Sequence, residues 1–450
     1  MKLVIVGAGK VGETLVKNFV KEQHDIVVVD VDGERVSSVV NKYDVYGIVG
    51  SGLERASLID AGVDKADFLI ACTSRDESNI LCSVLGRKLG AKSTIARVRD
   101  PEYFKEMENM REDLGVDYFF NPERRTAFEI ENVLKFPSAK SVETFADGKA
   151  DMVVFNVNKS NPIIGKSLAE ISKEYGNKVL FGMVTRGDEV IIPRGGFVFN
   201  EGDEVNLIGS EAEIAVFCKK LKLFKPRAKT VFIIGGGKIT FYLAERLLAS
   251  GVSVKIVEKD VERAEELSQT LPKATVLLLD ATDQDALNEE KLSDSDACVT
   301  LTGMDEENVI ISLYAMQKGV DKVITKIDRS SIVNMVKTIG LDTVVSPRKA
   351  IANHIIRFVR SNQAKTGGGI NTLYRLHGKV EALEFNVDEN SVRTDVAIKD
   401  LDINRNVLIG GIVRNNQYIF PSGDAVLKKG DKVIVVTSVL NITELSQVIK

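Results

Sequence analysis

Two hydrophobic patterns alternate along the chain. Short, almost entirely apolar runs such as 2–6 and 25–30 predict buried strands, and apolar residues recur over 10–23 at the spacing of one helix face. Over 152–209, in contrast, apolar and polar residues alternate in short segments separated by turn signals. The first pattern predicts a parallel sheet covered by helices on both faces, and the second predicts a mainly antiparallel sheet.

Both patterns occur twice. The opening recurs at 229–260, and 66–98 aligns without a gap with 295–327. The alternating segment recurs at 382–436. A repeat of this length indicates two copies of one pair of domains. The predicted fold class is therefore α/β, with two tandem Rossmann-like doubly wound parallel-sheet domains, each followed by a small α+β domain.

The repeat also sets the predicted domain boundaries. Each small domain should carry one helix near Ser167 to Tyr175 or at its counterpart. Linkers that few contacts should cross are predicted at 134–141, 223–229 and 361–370. The Rossmann domains are predicted at 1–135 and 229–360, and the small domains at 139–222 and 371–450.

A glycine-rich motif follows the first strand. Gly7, Gly9 and Gly12 form G-x-G-x-x-G, and Asp30 ends the second strand 23 positions after Gly7. In a dinucleotide-binding unit these glycines make the tight turn, admit phosphate to the helix N-terminus and let helix pack on strand, and the acid accepts hydrogen bonds from a ribose diol. The predicted first cofactor site, site 1, comprises Gly7, Ala8, Gly9, Lys10, Val11, Gly12 and Asp30.

The residues after Asp30 bear on the choice of ligand. No arginine lies at 31–33, so a 2′-phosphate would meet an acid rather than a cation. NAD or another unphosphorylated ribose is therefore favoured over NADP.

A second, altered loop lies in the repeat. Thr240 stands where the first loop has Gly12, and Glu258 replaces Asp30. A β-branched residue there should hold helix and strand further apart, and the longer acid should move the ribose acceptor outward by one methylene. The second site, site 2, is thus expected to be weaker or altered in ligand choice, unless small neighbours such as Ala244 accommodate Thr240. It comprises Gly235, Gly236, Gly237, Lys238, Ile239 and Glu258.

Three more residues are expected at the carboxyl edge of the first parallel sheet. Thr73 and Ser74 end the fourth predicted strand and would present hydroxyls or amides to the ligand, although Ser74 with Glu77 also fits a helix capping box. Arg97 ends a strand and could pair with phosphate oxygens through its planar fork, or be an ordinary surface arginine.

Composition excludes several classes of function. With 60 basic and 64 acidic residues, the chain does not look like a general nucleic-acid binder. No uncharged apolar run reaches the roughly 18 residues of a membrane helix, and no secretion signal is evident, so a cytoplasmic protein is expected. Its four cysteines, which lack metal-type spacing, are expected to be reduced structural thiols, and no metal site is predicted: Cys72, Cys82, Cys218 and Cys298.

The histidines argue against an enzyme. A hydride-transfer enzyme needs an acid or base near the nicotinamide, most often a histidine. His24, His354 and His377 are not expected at the carboxyl edge of a sheet, so no catalytic residue is predicted. An NAD-dependent oxidoreductase is the disfavoured alternative, and a scaffold with vestigial nucleotide sites is a further one.

The tandem repeat, the opening VGAGKVGETLV, the segment TSRDESN and the stretch IARVRDPEY together resemble the TrkA family over essentially the whole chain. Its members are cytoplasmic nucleotide-binding regulatory subunits of Trk-type potassium uptake systems, in which two RCK units, each a KTN and a TrkA-C domain, are fused. The resemblance implies binding of NAD(H), or of ATP and ADP, and a homo-oligomeric, tetrameric ring. It also implies a membrane potassium-channel partner of the Trk type, gated by ligand-dependent conformational change, as the only link to the inner face of the membrane. The physiological nucleotide, the direction of gating, the oligomer number and a second ligand in the small domains stay open.

Overall fold

The computed structural model describes residues 1–176, 178–223, 225–362, 369–376, 379–388 and 393–449. His377 and most of the predicted linker 361–370 lie outside the described residues. The chain forms two compact units. The first comprises Met1–Thr126 and Ser346–Ile356, and the second comprises Ala127–Val345 and Arg357–Lys450.

The first unit contains a parallel sheet with the strand order β3-β2-β1-β4-β5-β6. Its central strands are buried on both faces, which explains their nearly continuous apolar sequences. The order reverses between β1 and β4, and in open α/β sheets ligands bind beyond the carboxyl ends of the strands at this point. The strands are β1 (Lys2–Val6), β2 (Asp25–Asp30), β3 (Tyr46–Val49), β4 (Phe68–Ala71), β5 (Ser93–Arg97) and β6 (Tyr118–Phe120). The helices are α1 (Lys10–Lys21), α2 (Gly33–Tyr43), α3 (Arg55–Asp60), α4 (Asp76–Leu89), α5 (Pro101–Asn109), α6 (Arg111–Leu114) and α7 (Pro122–Lys135).

The first small domain is built on an antiparallel sheet with the order β10-β9-β11-β8-β7. The predicted helix is present and starts with a capping box between Ser167 and Glu170. A second helix, which was not predicted from the sequence, starts at the N-cap Ser210. The strands are β7 (Ser141–Phe145), β8 (Ala150–Asn156), β9 (Leu180–Arg186), β10 (Glu189–Ile191) and β11 (Glu204–Gly209), and the helices are α8 (Leu168–Tyr175) and α9 (Glu211–Lys220).

The second parallel sheet repeats the first, with the order β14-β13-β12-β15-β16-β17. The strands are β12 (Thr230–Ile234), β13 (Ser253–Glu258), β14 (Thr275–Leu278), β15 (Ala297–Thr300), β16 (Lys322–Lys326) and β17 (Val344–Val345). The helices are α10 (Lys238–Ala249), α11 (Val261–Thr270), α12 (Gln284–Glu289), α13 (Asp305–Gln317), α14 (Ser330–Thr338) and α15 (Pro347–Ser361). The identical strand order confirms the predicted duplication of the doubly wound fold.

The second small domain has the order β18-β19-β22-β20-β21. The counterpart of α8 is only a 3-10 turn at Ile398–Asp400, because Ala397 occupies the N-cap position and has no side-chain oxygen to cap a helix. The strands are β18 (Ile370–Leu376), β19 (Val380–Asn386), β20 (Val407–Arg414), β21 (Gln417–Ile419) and β22 (Lys432–Thr437). The predicted fold class is confirmed.

Each small domain contains the same ion pair between a buried carboxylate and a partly exposed arginine. The Asp203 carboxylate accepts two hydrogen bonds of 2.7 Å from the guanidinium of Arg186. Asp431 accepts two of 2.8 Å from Arg414 in the same way. Both carboxylates are almost fully buried. The aspartates of the recurring dipeptides Gly202-Asp203 and Gly430-Asp431 therefore have a structural role.

The first predicted linker is not free of contacts. Ser138 donates a hydrogen bond to the carbonyl of Leu223, and the buried ammonium of Lys322 donates to the carbonyl of Ala139. Lys140 pairs with Glu204 at 2.9 Å. The prediction of few crossing contacts is wrong here, because polar groups far away in sequence satisfy the backbone of this segment.

The last helix of the second Rossmann repeat contributes to the first unit. His354, on α15, contacts Tyr118 of β6, with the ring centroids 5.6 Å apart. In the second unit, Arg246 of α10 pairs with Glu131 of α7. Helices α15 and α10 thus each contact an element that is distant in the chain.

In the part of the chain that the structure describes, no helix is both long and apolar enough to cross a membrane, and no group of acidic, cysteine or histidine side chains could hold a metal ion. All four cysteines are buried free thiols. Burial raises the pKa of Cys72, Cys82 and Cys298 to about 12, so these thiols are uncharged at neutral pH.

Candidate functional site

Gly7 makes the tight turn between β1 and α1. Its φ is +111°, and its N–H donates to the carbonyl of Val29 at 2.8 Å. A Cβ atom here would lie only 2.9 Å from the backbone carbon of Cys72. Only glycine combines this backbone conformation with such close packing.

Gly9 is surrounded by open space. Its φ of −72° is accessible to any residue, and a Cβ atom there would meet no other atom within 4 Å. It is the N-cap of α1, and no side chain caps that helix. Nothing in the surrounding protein therefore requires glycine, and the space lies where the helix N-terminus favours a phosphate group.

Gly12 brings α1 against the loop. A Cβ atom at this position would lie 1.8 Å from the carbonyl oxygen of Gly7 and 3.4 Å from the Cys72 sulfur. Val11 is buried beside it, whereas Lys10 is exposed. The absence of a side chain at Gly12 therefore sets the distance between the helix and the turn.

Asp30 contacts the same loop. One carboxylate oxygen accepts a hydrogen bond of 2.6 Å from the Ala8 N–H, and the other accepts one of 3.0 Å from the Asp32 N–H. A carboxylate offers about four acceptor positions, so two stay available for the hydroxyls of a ribose. The loop N–H thus orients the acid at the mouth of the turn.

Thr73 is tied to a buried asparagine. Its N–H and hydroxyl both donate to the Asn79 side-chain oxygen at 2.7 Å. The Asn79 amide donates in turn to the carbonyls of Thr73 and Arg97, at 3.2 and 3.1 Å. Asn79 therefore joins the loops after β4 and β5, and the Thr73 hydroxyl donates its proton within the protein.

Ser74 does not cap a helix. It is exposed, and its carbonyl accepts a hydrogen bond of 2.6 Å from Arg99. Helix α4 begins at Asp76 with Arg75 as N-cap and without a side-chain cap. The capping-box alternative for Ser74 and Glu77 is therefore wrong.

Asp76, like Asn79, was not among the predicted site residues. It is buried, and it accepts hydrogen bonds of 2.9 Å from the N–H groups of Arg99 and Asp100. The counterparts of Asp76 and Asn79, Asp305 and Asn308, make the same contacts in the repeat. Their identical spacing in both halves was the signal that could have identified them.

Arg97 is not an ordinary surface arginine. Its side chain is 14% exposed, and its Nη2 lies 3.5 Å from a carboxylate oxygen of Glu123. Burial raises the pKa of the Cys72 thiol, while the charge of Arg97 opposes that rise and the charge of Asp30 adds to it. The charges of Arg97 and Asp30 thus both act on the thiol that lies close to Gly12 of the glycine loop.

Site 2 reproduces the turn of site 1. Gly235 has a φ of +96°, and a Cβ atom on it would lie 3.0 Å from the Thr302 nitrogen. Gly237 is again an N-cap in open space, since a Cβ atom on it would meet no other atom within 4 Å. It precedes Lys238 and the buried Ile239. The space that suits a phosphate group is therefore present in both halves of the chain.

Glu258 reaches its loop as closely as Asp30 does. It accepts hydrogen bonds of 2.6 Å from the Gly236 N–H and of 2.8 Å from the Lys259 N–H. A Cβ atom on Gly236 would lie 2.7 Å from the Glu258 carboxylate, so the longer acid fits because this residue is glycine, whereas Asp30 faces Ala8. The expected outward shift of the acceptor from the loop is therefore absent.

The start of the helix differs between the two sites. Thr240 is fully buried, and its hydroxyl donates to the Gly235 carbonyl. In site 1, even a methyl group at Gly12 would overlap the carbonyl of Gly7. Because Thr240 occupies the equivalent position of site 2, α10 must begin further from its turn than α1 does. The cation differs too, since Lys326, the counterpart of Arg97, donates to the Thr302 carbonyl at 2.8 Å.

Among the described histidines, neither lies at the carboxyl edge of a parallel sheet. His24 is 3.5 Å from Glu22 before β2, and His354 contacts Tyr118. The arrangement offers phosphate and ribose contacts, with no histidine of the described residues placed to move a proton at a bound nicotinamide.

Comparison with known families matches the domains found in the fold. The TrkA-N domain family matches residues 3–122 and 231–347, and the TrkA-C domain family matches residues 152–222 and 382–450. The Trk system potassium uptake protein TrkA homolog of Archaeoglobus fulgidus is 32% identical over 435 residues, 97% of each chain. The Trk system potassium uptake protein TrkA of Haemophilus influenzae is 29% identical over 445 residues, 97% of this chain and 96% of that protein.

Solved structures share the fold. The GsuK channel has a TM-score of 0.65 and 17% identity, and the GsuK channel bound to NAD has a TM-score of 0.63 and 18% identity. Each match covers 97% of this chain and 76% of the channel chain. With both domain types matched twice and a relative this similar over nearly the whole length, the chain belongs to the TrkA family of Trk-system potassium uptake proteins.

Proposed function

We propose that this chain binds NAD(H) or an adenine nucleotide at site 1 and uses the binding to change the state of a membrane potassium-conducting subunit of the Trk type. The observation that carries the proposal is the open space at Gly9, in the loop that Asp30 contacts through the Ala8 N–H. The uncapped helix N-terminus suits a phosphate group, and Asp30 can accept hydrogen bonds from the ribose hydroxyls. With the cation of Arg97, these groups match the phosphates and ribose of a nucleoside diphosphate. The four predicted domains, 1–135, 139–222, 229–360 and 371–450, are proposed as the working parts.

The chain is not an enzyme, because the TrkA family consists of non-catalytic regulatory subunits. The oxidoreductase alternative is thereby set aside. A ligand that binds two conformations with unequal affinity shifts their populations without being converted. A difference of about 1.4 kcal/mol in binding free energy shifts the population ratio by up to a factor of ten. Regulation by NAD(H) therefore needs binding alone.

Two solved structures of a channel with the same fold carry nucleotides. One is described as the GsuK channel bound to NAD, and another as GsuK bound to ADP, the latter with a TM-score of 0.52 and 15% identity. These ligands belong to those proteins. They motivate the same two classes of ligand as candidates here.

Thermal shift of the purified chain tests the proposal against NAD, NADH, ATP, ADP and NADP. We expect NADH or an adenine nucleotide to raise the melting temperature and NADP to have a smaller effect, because its 2′-phosphate would face Asp30. Gly9→Glu is the variant that should abolish nucleotide binding. The backbone conformation and surroundings of Gly9 admit a side chain, and the new carboxylate would repel phosphate. Absence of a shift with all five nucleotides would favour a scaffold with vestigial sites.

The same preparations test for turnover. NAD is expected to remain unreduced with small alcohols and hydroxy acids. Reduction that Gly9→Glu abolishes would contradict the regulatory assignment.

We also propose that the chain assembles into a homo-oligomeric ring that joins the membrane through its partner. Two apolar side chains are exposed at equivalent helix positions in the two repeats: Leu81 on α4 is 49% exposed, and Ile310 on α13 is 63% exposed. Met110 and its counterpart Ile339 are also exposed. Apolar groups repeated at corresponding positions suit contacts between copies of one chain.

Light scattering tests this assembly. The purified chain should have a mass several times its 49.3 kDa, and Leu81→Asp should lower it. A monomer at micromolar concentration would contradict the proposal.

A further inference from the structure

One ion pair in the first unit is incomplete on both sides. Arg97 ends β5, and Glu123 lies in the first turn of α7. Their closest atoms, Arg97 Nη2 and Glu123 Oε1, are 3.5 Å apart, and the side chains are only 14% and 17% exposed. Arg97 Nε and Glu123 Oε2 are both buried without a hydrogen-bond partner.

Such an arrangement is unusual for charged groups. A buried donor or acceptor that lacks a partner costs about 1–3 kcal/mol, and a bidentate arginine–carboxylate pair normally satisfies both partners at about 2.7–2.9 Å. The Arg186–Asp203 pair of this chain shows that geometry, with two bonds of 2.7 Å. Arg97 therefore holds donor capacity that Glu123 does not use.

The position of Arg97 connects two regions. Its carbonyl is held by Asn79, which also holds the Thr73 loop, and its charge acts on the Cys72 thiol beneath the glycine turn. On its other side, Glu123 belongs to the helix that runs to Lys135 and leads to the first small domain.

The repeat lacks this pair. The residue at the Arg97 position is Lys326, and the residue at the Glu123 position, after the matching Pro347, is Arg348. Two cations cannot form an ion pair, so the second half has no equivalent attraction between strand end and helix.

We propose that a nucleotide phosphate at site 1 and the Glu123 carboxylate compete for the Arg97 guanidinium, so that binding at site 1, and not at site 2, loosens the first turn of α7. This inference rests on the proposed nucleotide binding. A phosphate group offers several anionic oxygens to the planar fork of arginine and satisfies donors that one carboxylate oxygen at 3.5 Å leaves unused. The linkage is reciprocal: holding α7 in place weakens binding, and binding frees α7.

Calorimetry with NADH on the full chain tests the competition. Glu123→Gln removes the competing charge and should tighten binding about five-fold, as expected for an ion pair worth about 1 kcal/mol. Glu102→Gln removes the same charge from an exposed position in the same unit and should leave the affinity unchanged. Glu123→Asp, which keeps the charge but shortens the side chain, should also tighten binding and serves if the glutamine variant does not fold.

Hydrogen exchange over 122–126 tests the coupling itself. NADH should increase exchange there in the unsubstituted chain and in Glu102→Gln, and should have no such effect in Glu123→Gln. Unchanged affinity in both Glu123 variants, or an exchange response that survives in them, overturns the coupling while leaving nucleotide binding intact. If the unsubstituted chain binds none of NADH, ATP and ADP, the proposed function fails and the coupling with it.

Discussion

The substitution Gly12→Ala tests how closely a helix must approach its turn to bind phosphate. The new methyl group would lie 1.8 Å from the Gly7 carbonyl oxygen, whereas real side-chain carbons keep at least 3.0 Å. The start of α1 must therefore move by about 1.2 Å. The turn itself cannot yield, because Gly7 packs against the backbone of Cys72.

The expected cost has two parts. Overpacking a tight site lowers the free energy of unfolding by about 1–3 kcal/mol. A displacement of this size breaks at least one hydrogen bond from the helix N-terminus to a charged phosphate, worth about 1.5–3 kcal/mol, so NADH affinity at site 1 should fall about 10- to 100-fold.

Isothermal titration calorimetry with NADH measures the affinity, and urea unfolding followed by circular dichroism measures the stability. The matched control is Thr240→Ala at the equivalent position of site 2, where the larger threonine already fits. This control should keep the tight binding phase. If Gly12→Ala binds NADH with unchanged affinity, or if both variants lose the same phase, close packing at Gly12 is not what distinguishes the two sites.

The remaining predictions concern unequal sites and buried charges. In calorimetry with NADH, Asp30→Ala should remove the tight phase and Glu258→Ala should spare it; equal losses would refute unequal sites. Asp203→Ala should lower the free energy of unfolding in urea by about 1.5–3 kcal/mol, because its buried carboxylate accepts charge-assisted hydrogen bonds from the partly exposed Arg186 and from the Asn200 N–H; a loss below about 0.5 kcal/mol would contradict this. Burial lowers the pKa of Lys322 from 10.5 to about 7, so the unfolded chain binds an extra proton between these values and stability should rise with pH there; Lys322→Met should flatten that rise. Burial raises the pKa of Asp151 from 3.8 to about 6, so stability should fall as pH rises through this window, and Asp151→Asn should be more stable than the unsubstituted chain at pH 7.

Local patterns and the repeat were sufficient for the architecture. Strand and helix periods depend on neighbouring residues, and the parallel order follows from strands joined by helices. The turn at Gly7 and the helix contact at Gly12 were also predictable, because the G-x-G-x-x-G spacing that indicates them lies within a few residues of the chain. The duplication extended each of these inferences to the second half.

The features that could not be predicted depend on contacts between distant residues. The reach of Glu258 depends on the missing side chain of Gly236, and the partial pairing of Arg97 depends on Glu123, 26 positions away. The contact of Lys322 with Ala139 spans 183 positions and turned a predicted free linker into an anchored one. Periodicity indicates which face of an element is buried, but only the packed tertiary structure decides which polar group meets which, because hydrogen bonds form between groups that folding brings within about 3 Å of each other.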